Sequence, residues 1–238
     1  MPSKRQKIKR WDAHRIWVLM IIILTILCNQ LAYAVISYNK YWAPVAIVGA
    51  FSKDSAWKYY LEPQLRLIDD PYVFNQGLLL AGAGYRLTDQ VVFFAGPGWV
   101  VSKDALGKLH YEKRLWQQVN WAVWNTPQAN LHSRTRLEER EREDFAQVSV
   151  RFRERLWLRV PLQVSSAFSL SCFNEVFVNL NYPVWHTPSW FEQNRAFIGM
   201  AAQLNPAVLL DVGYLNQYIN AEKKESNNVI LFNFTVSL

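Results

Sequence analysis

Acyl-transfer and hydrolytic chemistry needs a nucleophilic hydroxyl or thiol within hydrogen-bond reach of a base, most often a histidine. Beyond its first 34 residues the chain offers His110, His132 and His186, and one cysteine, Cys172. His132 precedes Ser133, but neighbours in a strand point to opposite faces, so this pair cannot exchange a proton across one face. His186 and Thr187 fall in a Pro/Trp-rich stretch, Tyr182 to Trp190, which reads as an aromatic loop packed on a rim or as an exposed contact site. No group of His, Cys, Asp and Glu has metal-ligand spacing. Gly82, Gly84, Gly96 and Gly98 lie in strand-like sequence rather than between a strand and a helix, so they form no phosphate-binding loop. The residues predict no catalytic centre, no metal and no cofactor.

Arginine carries the remaining chemical promise. His132, Arg134, Arg136, Glu138, Arg140 and Arg142 fall on one parity, against Leu131, Ser133, Thr135 and Leu137 on the other. Arg151, Arg153, Arg155 and Arg159 repeat the pattern against Val150, Phe152, Leu156, Leu158 and Val160. Alternate residues share a face only in a strand, so these are strands with one ionic and one apolar face. Arg66, Arg114, Arg134, Arg136, Arg151, Arg153, Arg155 and Arg195, with Glu138 and Glu175 among them, are the candidates for an anion-binding or lumen-lining set. The planar guanidinium fork suits carboxylates and phosphates. Equally, Arg–Glu pairs and amides such as Gln64, Gln118 and Gln193 would serve simply to fill an interior.

Ten strand candidates position these residues, at about 57–69, 74–88, 90–102, 112–125, 129–142, 146–161, 168–182, 191–204, 207–219 and 228–238. Turn chemistry separates them at Asp69-Asp70-Pro71, Thr88-Asp89, Asn125-Thr126-Pro127, Asn205-Pro206 and Asn227-Asn228. Trp42 to Phe51 reads as a further strand. Connections alternate between short and long, as in outer-membrane barrels with short periplasmic turns and longer external loops. Ten strands put both ends on the short-turn side; the eleventh then lies outside the barrel, or a twelfth hides in 35–41. The expected fold is all-β: an antiparallel up-and-down transmembrane barrel of 10–12 strands preceded by a signal helix. A lumen of that width is narrow, since about eight strands are filled by side chains and open channels appear near 16–18.

The N-terminus argues for export. Lys4, Arg5, Lys7, Lys9, Arg10 and Arg15 precede an apolar run from Ile16 to Leu27, and Ala32-Tyr33-Ala34 fits a signal-peptidase site, with cleavage before Val35. The run is short of the about 20 residues of a spanning helix. The expected divisions are a signal peptide at 1–34, an N-terminal segment with a candidate first strand at 35–56, and the barrel at 57–238. Of 26 basic and 19 acidic residues the first 34 hold six and one, so the rest carries 20 and 18. The high pI therefore reflects targeting and is no sign of a nucleic-acid partner. Cys172, alone after the signal, has no internal disulfide partner.

Alternation does not say which face is inside, so a soluble barrel with an oily interior competes with a membrane barrel. Three features favour the membrane form and a Gram-negative outer-membrane location. The arginine parity is interleaved with acids. Trp57, Trp99, Tyr111, Trp124, Trp157, Tyr182 and Trp190 sit near strand ends, as interfacial aromatics do. The last strand ends on an apolar parity of Ile230, Phe232, Phe234, Val236 and Leu238, which suits membrane lipid and the barrel-assembly machinery as partners. Glu154 and Asn174 fit badly on the lipid parity, and Pro63 and Pro97 predict a bulge or edge. The alternative is a periplasmic barrel, anchored in the inner membrane, that binds an apolar ligand.

Several segments together resemble the bacterial family catalogued as domain of unknown function 2490. They are Tyr60-Leu61-Glu62-Pro63-Gln64-Leu65-Arg66, Tyr111-Glu112-Lys113-Arg114-Leu115-Trp116-Gln117-Gln118, Arg134-Thr135-Arg136-Leu137-Glu138, Phe173-Asn174-Glu175-Val176-Phe177-Val178-Asn179, Phe191-Glu192-Gln193-Asn194-Arg195 and Val212-Gly213-Tyr214. The resemblance runs from about residue 42 to 238. The resemblance implies the barrel and its outer-membrane location; it supplies no catalytic residue, because the family has no established activity. The residues themselves favour a non-enzymatic barrel, a narrow anion-leaning pore or a structural component.

Overall fold

The computed structural model describes residues 36–69, 73–104, 106–163, 165–185 and 188–238. The expected signal segment, and the loop pair His186 and Thr187, lie outside the described residues. Eleven strands follow in chain order: β1 Asn39–Ala50, β2 Trp57–Ile68, β3 Val73–Arg86, β4 Val91–Lys103, β5 Leu109–Asn125, β6 Asn130–Arg142, β7 Ser149–Leu162, β8 Ser165–Asn179, β9 Phe191–Asn205, β10 Val208–Ile219 and β11 Glu225–Ser237. Each pairs antiparallel with its sequence neighbour, and β1 closes the barrel against β11. No described helix is long and apolar enough to cross a membrane.

The closure corrects the expectation of an even count. The segment around Trp42 to Phe51 is a wall strand, not an extra, and among the described residues no twelfth strand precedes it. β1 meets β11 in parallel, with Trp42 opposite Leu231 and Val48 opposite Ser237. An odd number of strands forces this, because the first and last then run the same way. The connections at 69–72, 104–108, 143–148, 180–190 and 220–224, longer on average, share one rim with the start of β1. The other rim carries 51–56, 87–90, 126–129, 163–164 and 206–207, together with the end of β11.

The barrel is inside out relative to a soluble protein. Leu61, Leu65, Leu79, Phe93, Leu115, Trp121, Ile230 and Phe232 are exposed on the outer surface, while Glu62, Arg114, Arg136, Glu138, Arg151, Arg153 and Glu175 are buried within. Alternation carries this directly: on β6, Arg134, Arg136, Glu138 and Arg140 are the buried members of successive pairs. The interior is not wholly ionic. Tyr60, Leu80, Phe94 and Trp116 form one apolar cluster, and Trp42, Trp157, Phe173, Phe197, Leu215, Val229 and Leu231 form another.

Gly82 makes the first cluster possible: a Cβ there would stand 2.9 Å from the Trp116 ring. Neither Pro63 nor Pro97 sits at a bulge or an edge, contrary to the sequence expectation. β1–β2 pairing skips from Pro44–Gln64 to Ile47–Leu61, and β3–β4 pairing skips from Leu80–Gly98 to Ala83–Ala95, with register kept on both sides. The missing amide donor is thus absorbed as a local gap in the ladder. At Pro97 the free carbonyl is used: it accepts from Trp116 Nε1 at 3.0 Å.

Trp157 requires a second correction. It shares the parity of Arg155 and Arg159, so it points into the lumen, where its indole N–H donates to Ser171 Oγ at 2.8 Å. Trp57, Trp99, Tyr111, Tyr182 and Trp190 are exposed, as interfacial rings would be. Glu154 does face outward. Its carboxylate accepts from Ser133 Oγ at 2.6 Å and Thr135 Oγ1 at 2.5 Å on the neighbouring strand. Asn174 likewise exchanges amide hydrogen bonds with Asn194, at 3.1 and 3.0 Å. Each awkward polar group on this parity has found a partner across the strand.

Candidate functional site

The structure places every arginine and glutamate of the candidate set inside the barrel. Arg114, Arg136, Arg140, Arg151 and Arg153 converge with Glu112, Glu138 and Glu192 near the rim of longer connections. Glu138, fully buried, is the hub. It lies 2.5 Å from both Arg151 and Arg153, 3.6 Å from Arg136 and 3.8 Å from Arg114. The pairing follows from register: Glu138 stands opposite Arg151 on β7, and Arg136 opposite Arg153.

Glu175 forms a second node. One of its oxygens accepts from Arg134 at 2.6 Å and from Arg153 at 2.7 Å, and the other lies 3.8 Å from Arg195. Glu62 completes the crossing by accepting from Tyr60 and Gln64 and meeting Arg136 at 3.4 Å. Arg136 reaches the opposite wall here, since β2 and β6 are not neighbours. Toward the other rim, Arg159 grips Asp211 through two parallel hydrogen bonds of 3.0 and 2.8 Å. Such forked pairs fix geometry as well as charge.

Aromatic rings carry the surplus guanidinium groups. Arg153 and Arg195 lie over Phe177 at 4.4 and 4.5 Å, and Arg66 and Arg195 over Trp42 at 4.2 and 4.8 Å. Among the described residues Arg155 makes no ion pair, and it lies over Trp157 at 4.3 Å. Away from water such contacts reach about 2 kcal/mol. Ten arginines (Arg66, Arg114, Arg134, Arg136, Arg140, Arg151, Arg153, Arg155, Arg159, Arg195) line the lumen's cavities. Against them stand six carboxylates: Glu62, Glu112, Glu138, Glu175, Glu192 and Asp211. The interior is therefore net positive.

The same side chains divide the lumen. A cavity of about 140 Å³ lies toward the longer connections and one of about 240 Å³ toward the opposite rim, where Tyr60, Asn120, His132 and Arg159 line it. Between them the Glu62 and Glu175 nodes, with Trp42, Phe173 and Leu231, line a gap of about 40 Å³.

Among the described residues, neither His110 nor His132 meets a nucleophile. Both ring nitrogens of His110 are engaged, by Asp104 and Asp144 at 3.0 Å each. These contacts clasp the 104–108 and 143–148 connections and hold both aspartate carboxyls below their usual range. His132 faces the lumen while Ser133 faces out to Glu154. Among the described residues no group of His, Cys, Asp and Glu is arranged to hold a metal ion.

Sequence reasoning missed the aromatic platforms. Trp116, Trp157, Phe173 and Phe177 lie on the charge-bearing parity, and that shared parity was the available signal. Trp42 was hidden because its strand had no assigned place in the wall.

A family model described as "Protein of unknown function (DUF2490)" matches residues 39–228, almost the whole wall. The chain belongs to this family. An uncharacterised protein of Methylorubrum extorquens is 30% identical over 160 residues, covering 67% of this chain and 70% of the relative. Among solved structures, a NanC porin in a rhombohedral crystal form is similar, with a TM-score of 0.47 and 12% identity. That similarity covers 79% of this chain and 92% of the porin chain.

Proposed function

We propose that this DUF2490 protein is an outer-membrane β-barrel of non-enzymatic role, whose lumen is a narrow, anion-leaning passage pinched at mid-height by salt-bridged side chains. The observation that carries this is the reversal of polarity: apolar side chains cover the outside, and ten arginines face six carboxylates within. In water the exposed surface would be an aggregation hazard; in a bilayer it is solvated, and only a closed barrel satisfies every strand's backbone there. A net positive lining attracts anions and repels cations, while the constriction limits their size. The apolar parity of the last strand supports lipid and the barrel-assembly machinery as partners.

Refolded protein in a planar bilayer tests the passage. The expected result is a small conductance with a reversal potential shifted toward the anion. Absence of current from demonstrably folded protein would refute it. Fractionation of cells tests the location separately.

A further inference from the structure

We infer that the lumen holds a specific oxyanion site around Trp42, Arg66 and Arg195, near the rim of longer connections; it rests on the anion-leaning reading above and deepens it. The starting observation is a set of donors with nothing to donate to. Trp42 Nε1, Arg66 Nε and Arg195 Nε are all buried and none has a hydrogen-bond partner. All three are N–H groups, so the group that satisfies them is an acceptor. They are neighbours: both guanidinium groups lie over the Trp42 ring, all three residues line the gap of about 40 Å³, and the two arginines extend from it into the cavity of about 140 Å³.

The charge around them points the same way. Among the described residues Arg66 has no carboxylate partner; its terminal nitrogens donate to Gln76 Oε1 at 2.6 Å and Gln64 Oε1 at 2.8 Å. Arg195, nine-tenths buried, has among the described carboxylates only the 3.8 Å contact with Glu175, whose other oxygen already serves Arg134 and Arg153. Two cations thus share one indole with a single, distant and divided counter-charge. Buried charge of this kind is stable only when paired.

The amides complete a donor lining. Gln76 spends its oxygen on Arg66, and Gln193 spends its oxygen on Gln217 Nε2 at 2.8 Å. Each therefore keeps an NH₂ for the cavity of about 140 Å³ that Arg66, Arg195, Gln76 and Gln193 line. A cavity of that size suits a carboxylate or phosphate group with few attached atoms, and the guanidinium fork matches the paired oxygens of either. The chemistry assigned is thus a small oxyanion. Chloride, a sphere with no oxygen pair, fits it poorly.

Calorimetric titration of the refolded barrel in low-salt detergent, with sodium phosphate and sodium acetate as separate arms and sodium chloride as control, tests the site. At least one oxyanion should saturate and outcompete chloride. Arg66→Gln and Arg195→Gln should each weaken it more than tenfold, whereas Lys113→Gln on the outer wall should bind as the parent does. Circular dichroism melts establish that the variants are folded, and bound oxyanion should raise the melting temperature of the parent but not of Arg66→Gln. No saturable oxyanion binding, or parental affinity in both arginine variants, would overturn the site. Bilayer recordings separate the two ideas. A conducting barrel without saturable binding sinks the site and leaves the passage; saturable, Arg66-dependent binding in a barrel that carries no current supports the site and removes the passage.

Discussion

Replacing Glu138 with glutamine keeps the shape of the hub and removes its charge. Four guanidinium groups, 2.5 to 3.8 Å from its oxygens, then face one another around a neutral amide. At an effective dielectric of about 20, each pair of unit charges about 4 Å apart contributes about 4 kcal/mol, so the gross attraction lost exceeds about 10 kcal/mol. Most of it is offset in the native protein, because burying each ion costs several kcal/mol. Removal of one partner from such a buried pair therefore shows as a net loss of about 3–5 kcal/mol. Urea unfolding of the refolded barrel, followed by tryptophan fluorescence, measures it. With a slope of about 2 kcal/mol per molar, the midpoint of Glu138→Gln should fall by about 1.5–2.5 M. The loosened hub should also raise the single-channel conductance. An unchanged midpoint would refute the view that Glu138 neutralises the arginines around it.

Other perturbations separate the same forces. On β7, Arg155→Met removes a cation with no carboxylate partner and should be neutral or stabilising by about 1 kcal/mol, whereas Arg159→Met strands the buried Asp211 and should cost about 3–5 kcal/mol; paired unfolding curves decide this. Gly82→Val places side-chain atoms against the Trp116 ring and should destabilise by about 1–3 kcal/mol in the same assay. At the rim, the Asp104 and Asp144 carboxyls are held low by hydrogen bonds to His110, so their contribution is present above the unfolded carboxylate pKa and lost as pH falls through the depressed folded values. Hydrogen exchange at the Leu106 and Lys108 amides, which donate to Asp104, should be slow near neutrality and quicken on acidification beyond the intrinsic pH trend; a parallel trend in His110→Ala would count against the clasp.

The wall was legible because its information is local. Parity on β6 and β7 needs only a dozen consecutive residues, and their boundaries shift by a few positions at most between expectation and structure. Closure is different in kind. Nothing between Asn39 and Ala50 announces that its partner lies at 225–237, so a strand recognised at 42–51 could not be given a seat. The arginines were legible as enclosed, but not their bookkeeping: Glu138 reaching Arg151 depends on register, and Arg136 meeting Glu62 depends on the far wall. Trp157 shows the opposite failure, since position near a strand end outweighed the parity that already placed it beside Arg155 and Arg159.

The parallel seam between β1 and β11 has a topological consequence. Asn39 at the head of β1 and Ser237 at the end of β11 lie at opposite mouths, separated by the full height of the cylinder. If the barrel sits in the outer membrane as proposed, with the 180–190 connection outside the cell, an epitope fused just ahead of Asn39 should be open to antibody on intact bacteria, while one appended after Leu238 should stay shielded.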